Sequence, residues 1–196
     1  MILVNNNGNG DFTYAPLLHA DWNGFTPTDL VFPSFLFMVG VAMRFSFKAF
    51  NYELTPAVRN KILKRTLYLF LINYFVFYFP FTDFSFEKLR FLNVLPRIAL
   101  SYFAVAFITL QAPKKWLIWI NVGILLSFWG ILYAFGDAGS WMDISTNAVR
   151  KLDLLLFGES HLYHGNVVNG VHIAFDPEGL LSTLPAISTC LFGYQV

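Results

Sequence analysis

The chain has 196 residues and a net charge of +1, with 56% of its residues hydrophobic and 13% charged, where soluble domains carry roughly 25% charged residues. A chain of this size cannot hide so many apolar runs inside itself, and its near-neutral balance excludes nucleic acid and acidic surfaces as electrostatic partners. One cysteine, Cys190, excludes an internal disulfide, a zinc cluster and a redox pair.

Met1-Ile2-Leu3-Val4 is apolar and gives way to Asn5-Asn6-Asn7-Gly8-Asn9-Gly10. Without a basic stretch or a small-residue cleavage site this is not a secretory leader. It reads as the last turn of a helix whose beginning is missing, and the apolar run from Leu180 to Val196 also stops without a flanking charge, so a fragment or a late start is expected. Crossing the hydrocarbon core takes roughly 20 mostly apolar residues. Such runs lie at about 29–50, 62–81, 94–110 and 116–135, with a shorter one at 179–196. Period-two alternation is absent, which argues against a barrel of strands. The expected fold is all-α: a polytopic helical membrane protein with about four complete transmembrane helices plus partial first and last helices, in one truncated domain over 1–196.

Lysine and arginine in the short links set the orientation. The link after the first complete span carries Arg44, Lys48, Arg59, Lys61, Lys64 and Arg65 against Glu53, and the link after the third carries Lys114 and Lys115 without an acid. Both belong in the cytoplasm. The opening loop has Asp11, Asp21 and Asp29 with no cation, and it faces outward together with 82–93 and 136–178. The outer loop 136–178 is too long for a minimal connection, and Val149 to Leu156 within it has the pattern of a short amphipathic helix at the interface.

His19 lies in the polar loop Tyr14 to Gly24, and histidine is the side chain best matched to proton transfer near neutral pH. Asp21 is placed to orient it, and Trp22 to wall the site from water or stack on a sugar. The plain alternative is an interfacial histidine beside an interfacial tryptophan. Asp29 stands at the mouth of a span, where it caps the helix with help from Thr26 or Thr28, or serves as a functional acid. Arg97, a turn into an apolar helix, either snorkels to the interface or faces a partner such as Asp29 or Glu178. Asp176 and Glu178 open the last span, and capping accounts for one acid better than for two. His161 and His164 have no carboxylate at metal-ligand spacing, so they read as loop residues and no metal is expected. On the inner face Lys61, Lys64 and Arg65 could hold phosphates, although the positive-inside pattern alone produces the same cluster.

The run His19-Ala20-Asp21-Trp22-Asn23-Gly24-Phe25-Thr26-Pro27-Thr28-Asp29-Leu30-Val31-Phe32-Pro33, continuing to Gly40, closely resembles the signature of the heparan-α-glucosaminide N-acetyltransferase family and its bacterial relatives. Met1 to Asn6, Val94-Leu95-Pro96-Arg97-Ile98-Ala99 and Phe175-Asp176-Pro177-Glu178-Gly179-Leu180 through Ile187 match in order and spacing. The resemblance implies a transmembrane acyltransferase of the bacterial inner (plasma) membrane. It would take acetyl from cytoplasmic acetyl-CoA, its co-substrate, and deliver it to the amino group of a glucosamine-type sugar outside. It also implies that His19 is the catalytic residue with Asn5 beside it. His19 would take a proton from the attacking amine or accept the acetyl group transiently, and Asn5 would donate to the thioester oxygen. Pro96 stands where the family usually has glutamine. The expected partners are the lipid bilayer and an amino sugar, with self-association left open. A carrier for a related sugar and an inactive fragment remain as alternatives.

Overall fold

Apolar segments in lipid must satisfy their own backbone donors and acceptors, and helices do so within one segment. The structure, a computed structural model, describes residues 13–20, 22–81, 85–86, 89–168 and 170–196. Six α-helices are described: α1 (Val31–Lys48), α2 (Pro56–Tyr78), α3 (Val94–Gln111), α4 (Leu117–Phe135), α5 (Ala148–Phe157) and α6 (Thr183–Gln195). A two-stranded antiparallel hairpin, β1 (Asn166–Val168) and β2 (Val171–Ile173), pairs Val167 with His172 and stands between α5 and α6.

Local chemistry sets the helix ends. A 3-10 turn at Pro27–Leu30 leads into α1, with Pro27 in its first position, where the missing N–H costs nothing. Thr55 accepts the Val58 N–H at 3.3 Å and Pro56 starts α2. The Asn147 side chain accepts the Arg150 N–H at 2.8 Å to open α5, which stops at Gly158 with φ 78°.

Three stretches, Pro27–Lys48, Val94–Gln111 and Lys114–Phe135, are long and apolar enough to cross a membrane. The reading of four complete spans counts 62–81 as well. There the helix begins six residues earlier and runs to Tyr78, with Arg59, Lys61, Lys64 and Arg65 in its first half, and those charges lower its hydropathy. α6, at 13 residues, is shorter than a span.

The helices assemble around α6, which touches α1, α3 and α4, while α2 packs on α3. The α1–α6 seam is backbone against backbone: a Cβ on Gly40 would overlap the Cys190 carbonyl, and one on Gly193 would overlap that of Phe37. Small residues that permit such approach take the place of a hydrophobic driving force between helices in lipid. Met43, Phe47, Ile62, Tyr102, Val105, Leu191 and Tyr194 fill the core toward the other end of the bundle. A second cluster, Ile144, Ala148, Val149, Phe175 and Leu181, fastens α5 and the segment before α6 onto Phe128 and Leu132 of α4. α1, α3 and α6 therefore all start at one end, where residues 13–20, 22–30, 89–93, 136–168 and 170–182 gather.

Candidate active site

At that gathered end lies a cleft of about 880 Å³ whose walls include His19, Trp22, Asp29, Arg90, Tyr163, Asn166 and Glu178. One wall is the opening loop. Its chain folds back on itself because Thr26 and Asp29 cross-bond: the Asp29 carboxylate accepts the Thr26 N–H at 2.8 Å and the Thr26 hydroxyl at 3.0 Å. Thr28 donates to the Pro16 carbonyl at 2.9 Å. These ties bring His19, ten residues earlier, to Asp29, and the two side chains meet at 2.7 Å between Nδ1 and Oδ1. The Ala20 N–H also reaches Oδ2, at 3.3 Å.

A carboxylate on Nδ1 selects the tautomer that carries its proton there and leaves the Nε2 lone pair available. The His19 side chain is 70% exposed, so that lone pair meets solvent in the cleft. Asp29 both caps the turn into α1 and orients His19. Asp21, which sequence proximity favours as the orienting acid, lies outside the described residues, as does Asn5. Trp22 is fixed by an indole N–H donated to the Met142 carbonyl at 2.7 Å and by an edge-on contact with Phe175 at 5.0 Å. It thus forms a rigid aromatic wall.

The opposite wall centres on Arg90, a residue that composition alone leaves among mixed charges. Its Nε and Nη2 grip Asp176 at 2.7 and 2.5 Å, and Nη2 also reaches Glu178 Oε2 at 2.6 Å. The guanidinium lies 5.0 Å above the Tyr163 ring, and a Cβ on Gly165 would overlap that phenol, so the glycine is what lets Tyr163 fold flat there. Burial works against the charge of Arg90, but its bonds to Asp176 and Glu178 more than offset this and hold it protonated. Burial pushes the Glu178 carboxyl above the usual range, and Arg90 and Arg97 pull against it. The signal that could have located Arg90 was the surplus of acid in Asp176-Pro177-Glu178, since a half-buried second carboxylate demands a cation.

Arg97 does not pair directly with Asp29 or Glu178. It donates to the carbonyls of Pro177 at 2.9 Å and Ser182 at 2.7 Å and lies 5.3 Å from the centre of the Phe32 ring, so it ties α1, α3 and the start of α6 together. Asp153 is a further buried acid beneath this wall. Its Oδ1 accepts the Leu180 N–H at 3.0 Å, Oδ2 has no partner among the described residues, and Gly179 is pressed against it. Burial raises its carboxyl to about 6. His161 bonds the Leu89 carbonyl at 2.7 Å, a structural role.

At the other end of the bundle Lys61 stands over Phe50 at 4.8 Å and Arg65 over Tyr102 at 5.0 Å, while Lys64 is exposed. Among the described residues none of the three pairs with a carboxylate.

No family model matches the chain. It is similar to heparan-alpha-glucosaminide N-acetyltransferase of Mus musculus, 28% identical over an alignment of 238 residues that takes in 100% of this chain and 36% of the relative. The Homo sapiens protein of the same name is also 28% identical, with 35% of its length covered. The chain thus spans about a third of the length of these curated relatives, and the similarity, which runs over all of it, relates it to those acetyltransferases.

Proposed function

We propose that residues 1–196 form a transmembrane acyltransferase-like domain that moves acetyl from cytoplasmic acetyl-CoA to the amino group of a glucosamine-type sugar in the cleft. The observation that carries this is the His19–Asp29 pair on the wall of a cleft whose far side presents Glu178. The similarity to N-acetyltransferases supports the same chemistry. The uncompensated cations Arg44, Lys48, Lys61, Lys64 and Arg65 favour the cytoplasm for their end of the bundle, which supports an outward-facing cleft.

In this reading the neutral amine attacks the thioester carbonyl carbon, the C–N bond forms, and the nitrogen loses a proton to Nε2 of His19. The C–S bond breaks with its electron pair on sulfur, and imidazolium returns the proton to the thiolate. Asp29 stabilises the imidazolium and keeps the ring from rotating. The covalent variant places acetyl first on Nε2 and then on the amine, with the same overall balance. Asn5 is the proposed donor to the carbonyl oxygen. Lys61, Lys64 and Arg65 are the proposed contacts for the phosphates of coenzyme A, as point charges or forks.

The test uses membranes containing the protein, acetyl-labelled acetyl-CoA and glucosamine, and compares wild type with His19→Ala. N-acetylglucosamine from wild type and at least about a hundredfold less from the variant is expected for loss of a general base. Equal product from both removes His19 from the chemistry. Uptake of intact glucosamine without acetylation, read in a parallel assay with labelled sugar, makes the protein a carrier.

A further inference from the structure

The two acids before α6 behave differently. Asp176 does the local work of the turn: its Oδ1 accepts the Glu178 N–H at 3.0 Å, and its side chain is 2% exposed. Glu178 accepts no backbone donor among the described residues. Its Oε2 takes the Arg90 bond, and the residue lines the cleft shared with His19 and Asp29. Helix capping therefore leaves the Glu178 carboxylate unexplained.

Arg90 is fixed more firmly than a structural counter-ion requires. Its guanidinium is forked onto Asp176, bonded to Glu178 and laid over Tyr163, and its N–H donates to the Tyr78 hydroxyl at 2.8 Å. Because Asp176 already matches its charge, the one Nη2 bond to Glu178 aims that carboxylate and leaves Oε1 without a described donor. Take Arg90 away, and burial and the neighbouring Asp176 both drive a proton onto Glu178, opposed only by Arg97.

We infer that Arg90 is a positioning residue for the acceptor: held between Asp176 and Glu178, it keeps the Glu178 carboxylate turned into the cleft, where that carboxylate takes the ammonium group of a primary-amine substrate. The inference rests on the acyl-transfer reading above and names the residues that select its amine over a hydroxyl compound of the same shape. The ammonium loses one proton to water and stays hydrogen-bonded to Glu178 as the neutral amine, and His19 Nε2 takes the second proton during attack.

The test measures initial rates against glucosamine concentration for the full chain in nanodiscs, together with thermal stability in the presence of glucosamine or glucose. A charge-assisted hydrogen bond is worth enough that its loss weakens binding roughly 10- to 100-fold. Glu178→Gln and Arg90→Gln are each expected to raise KM for glucosamine by that factor and to leave kcat within about threefold, because the bond is made equally in the ground and transition states. Arg90→Lys, which keeps the charge and loses the fork, recovers part of the KM. An unchanged KM in folded Glu178→Gln, or a loss confined to kcat, overturns the inference. Should Arg90→Gln not fold, Glu178→Gln alone decides the point in the same way. Should wild type form no acetylated amine, the acyl-transfer reading fails, and the binding data still discriminate. Stabilisation by glucosamine and not by glucose, absent in Glu178→Gln, then supports the amine site, and equal response to the two sugars overturns it.

Discussion

The two ends of this bundle hold their cations in different ways. At the cleft end Arg90 is clasped by two carboxylates and Arg97 by two carbonyls, both in bonds of 2.9 Å or less. At the other end Lys61 lies by Phe50, Arg65 by Tyr102 and Lys114 by Tyr52, each on a ring face, Arg44 lies by the Tyr194 ring and donates to the Tyr194 carbonyl at 3.2 Å, and among the described residues none meets an acid. Ring faces hold a cation weakly, by roughly 0.5–1 kcal/mol at exposed sites, and do not neutralise it. The first arrangement fixes geometry and spends charge. The second leaves the charge unneutralised while anchoring the side-chain stems. Position in a cleft, then, calls for paired charges, and orientation in a bilayer only for unpaired ones.

Asp176→Asn tests the first half of that contrast most severely. It leaves Arg90 buried with one anionic partner, and breaking a buried pair costs about 3–5 kcal/mol. A large drop in thermal midpoint of the detergent-solubilised protein is expected. A change comparable to that of a surface pair would show that the clasp adds no rigidity.

Asp29→Asn preserves shape and removes the charge facing His19. Because its amide can donate to Nδ1, it favours the wrong tautomer. Acetyl transfer is expected to fall by on the order of a hundredfold, less than in an enclosed triad because His19 is open to solvent. Thermal stability should change little by comparison. Equal activity of wild type and variant would return Asp29 to a capping role alone.

Asp153→Asn probes the acid that neither end uses. Its carboxyl is raised by burial from 3.8 to about 6, so the folded state holds the proton more tightly than the unfolded chain does. Stability from that proton is full below about 4 and is lost as the pH climbs through about 6. A rise of this size corresponds to roughly 3 kcal/mol, part of which an amide without a partner gives back. Above pH 7 the variant is expected to be more stable than wild type by on the order of 1–2 kcal/mol, and near pH 4, where little beyond the cost of the unpartnered amide remains, to be the less stable of the two. Melting curves at the two pH values read the sign directly.

Where the chain is apolar its fold was legible, since a run such as Val94–Gln111 admits one backbone solution in lipid. The site was legible in its residue types and less so in its pairings. Proximity in sequence favoured Asp21 for His19. The bond is instead to Asp29, ten residues on, and Thr26 three residues before it was the available sign that the chain doubles back there. Arg90 and Asp176 are 86 residues apart, a separation no local pattern encodes. Asp153 had a local signal: four residues after Val149, it shares the buried face of α5.

The smallest effect belongs to the other end. Arg65→Gln removes a cation that rests against Tyr102 and is expected to cost under about 1 kcal/mol in stability. Its value lies in the contrast it sets up. If the unpaired cations serve the bilayer and a phosphorylated co-substrate, Arg65→Gln should weaken acetyl-CoA use, read as a higher KM for that substrate, and leave KM for the amine unchanged. Asp29→Asn should lower kcat with neither affinity altered. A shift in amine KM from Arg65→Gln would mean that the two sites are coupled through α3, which carries Arg97 in its first turn and Tyr102, under Arg65, five residues further on.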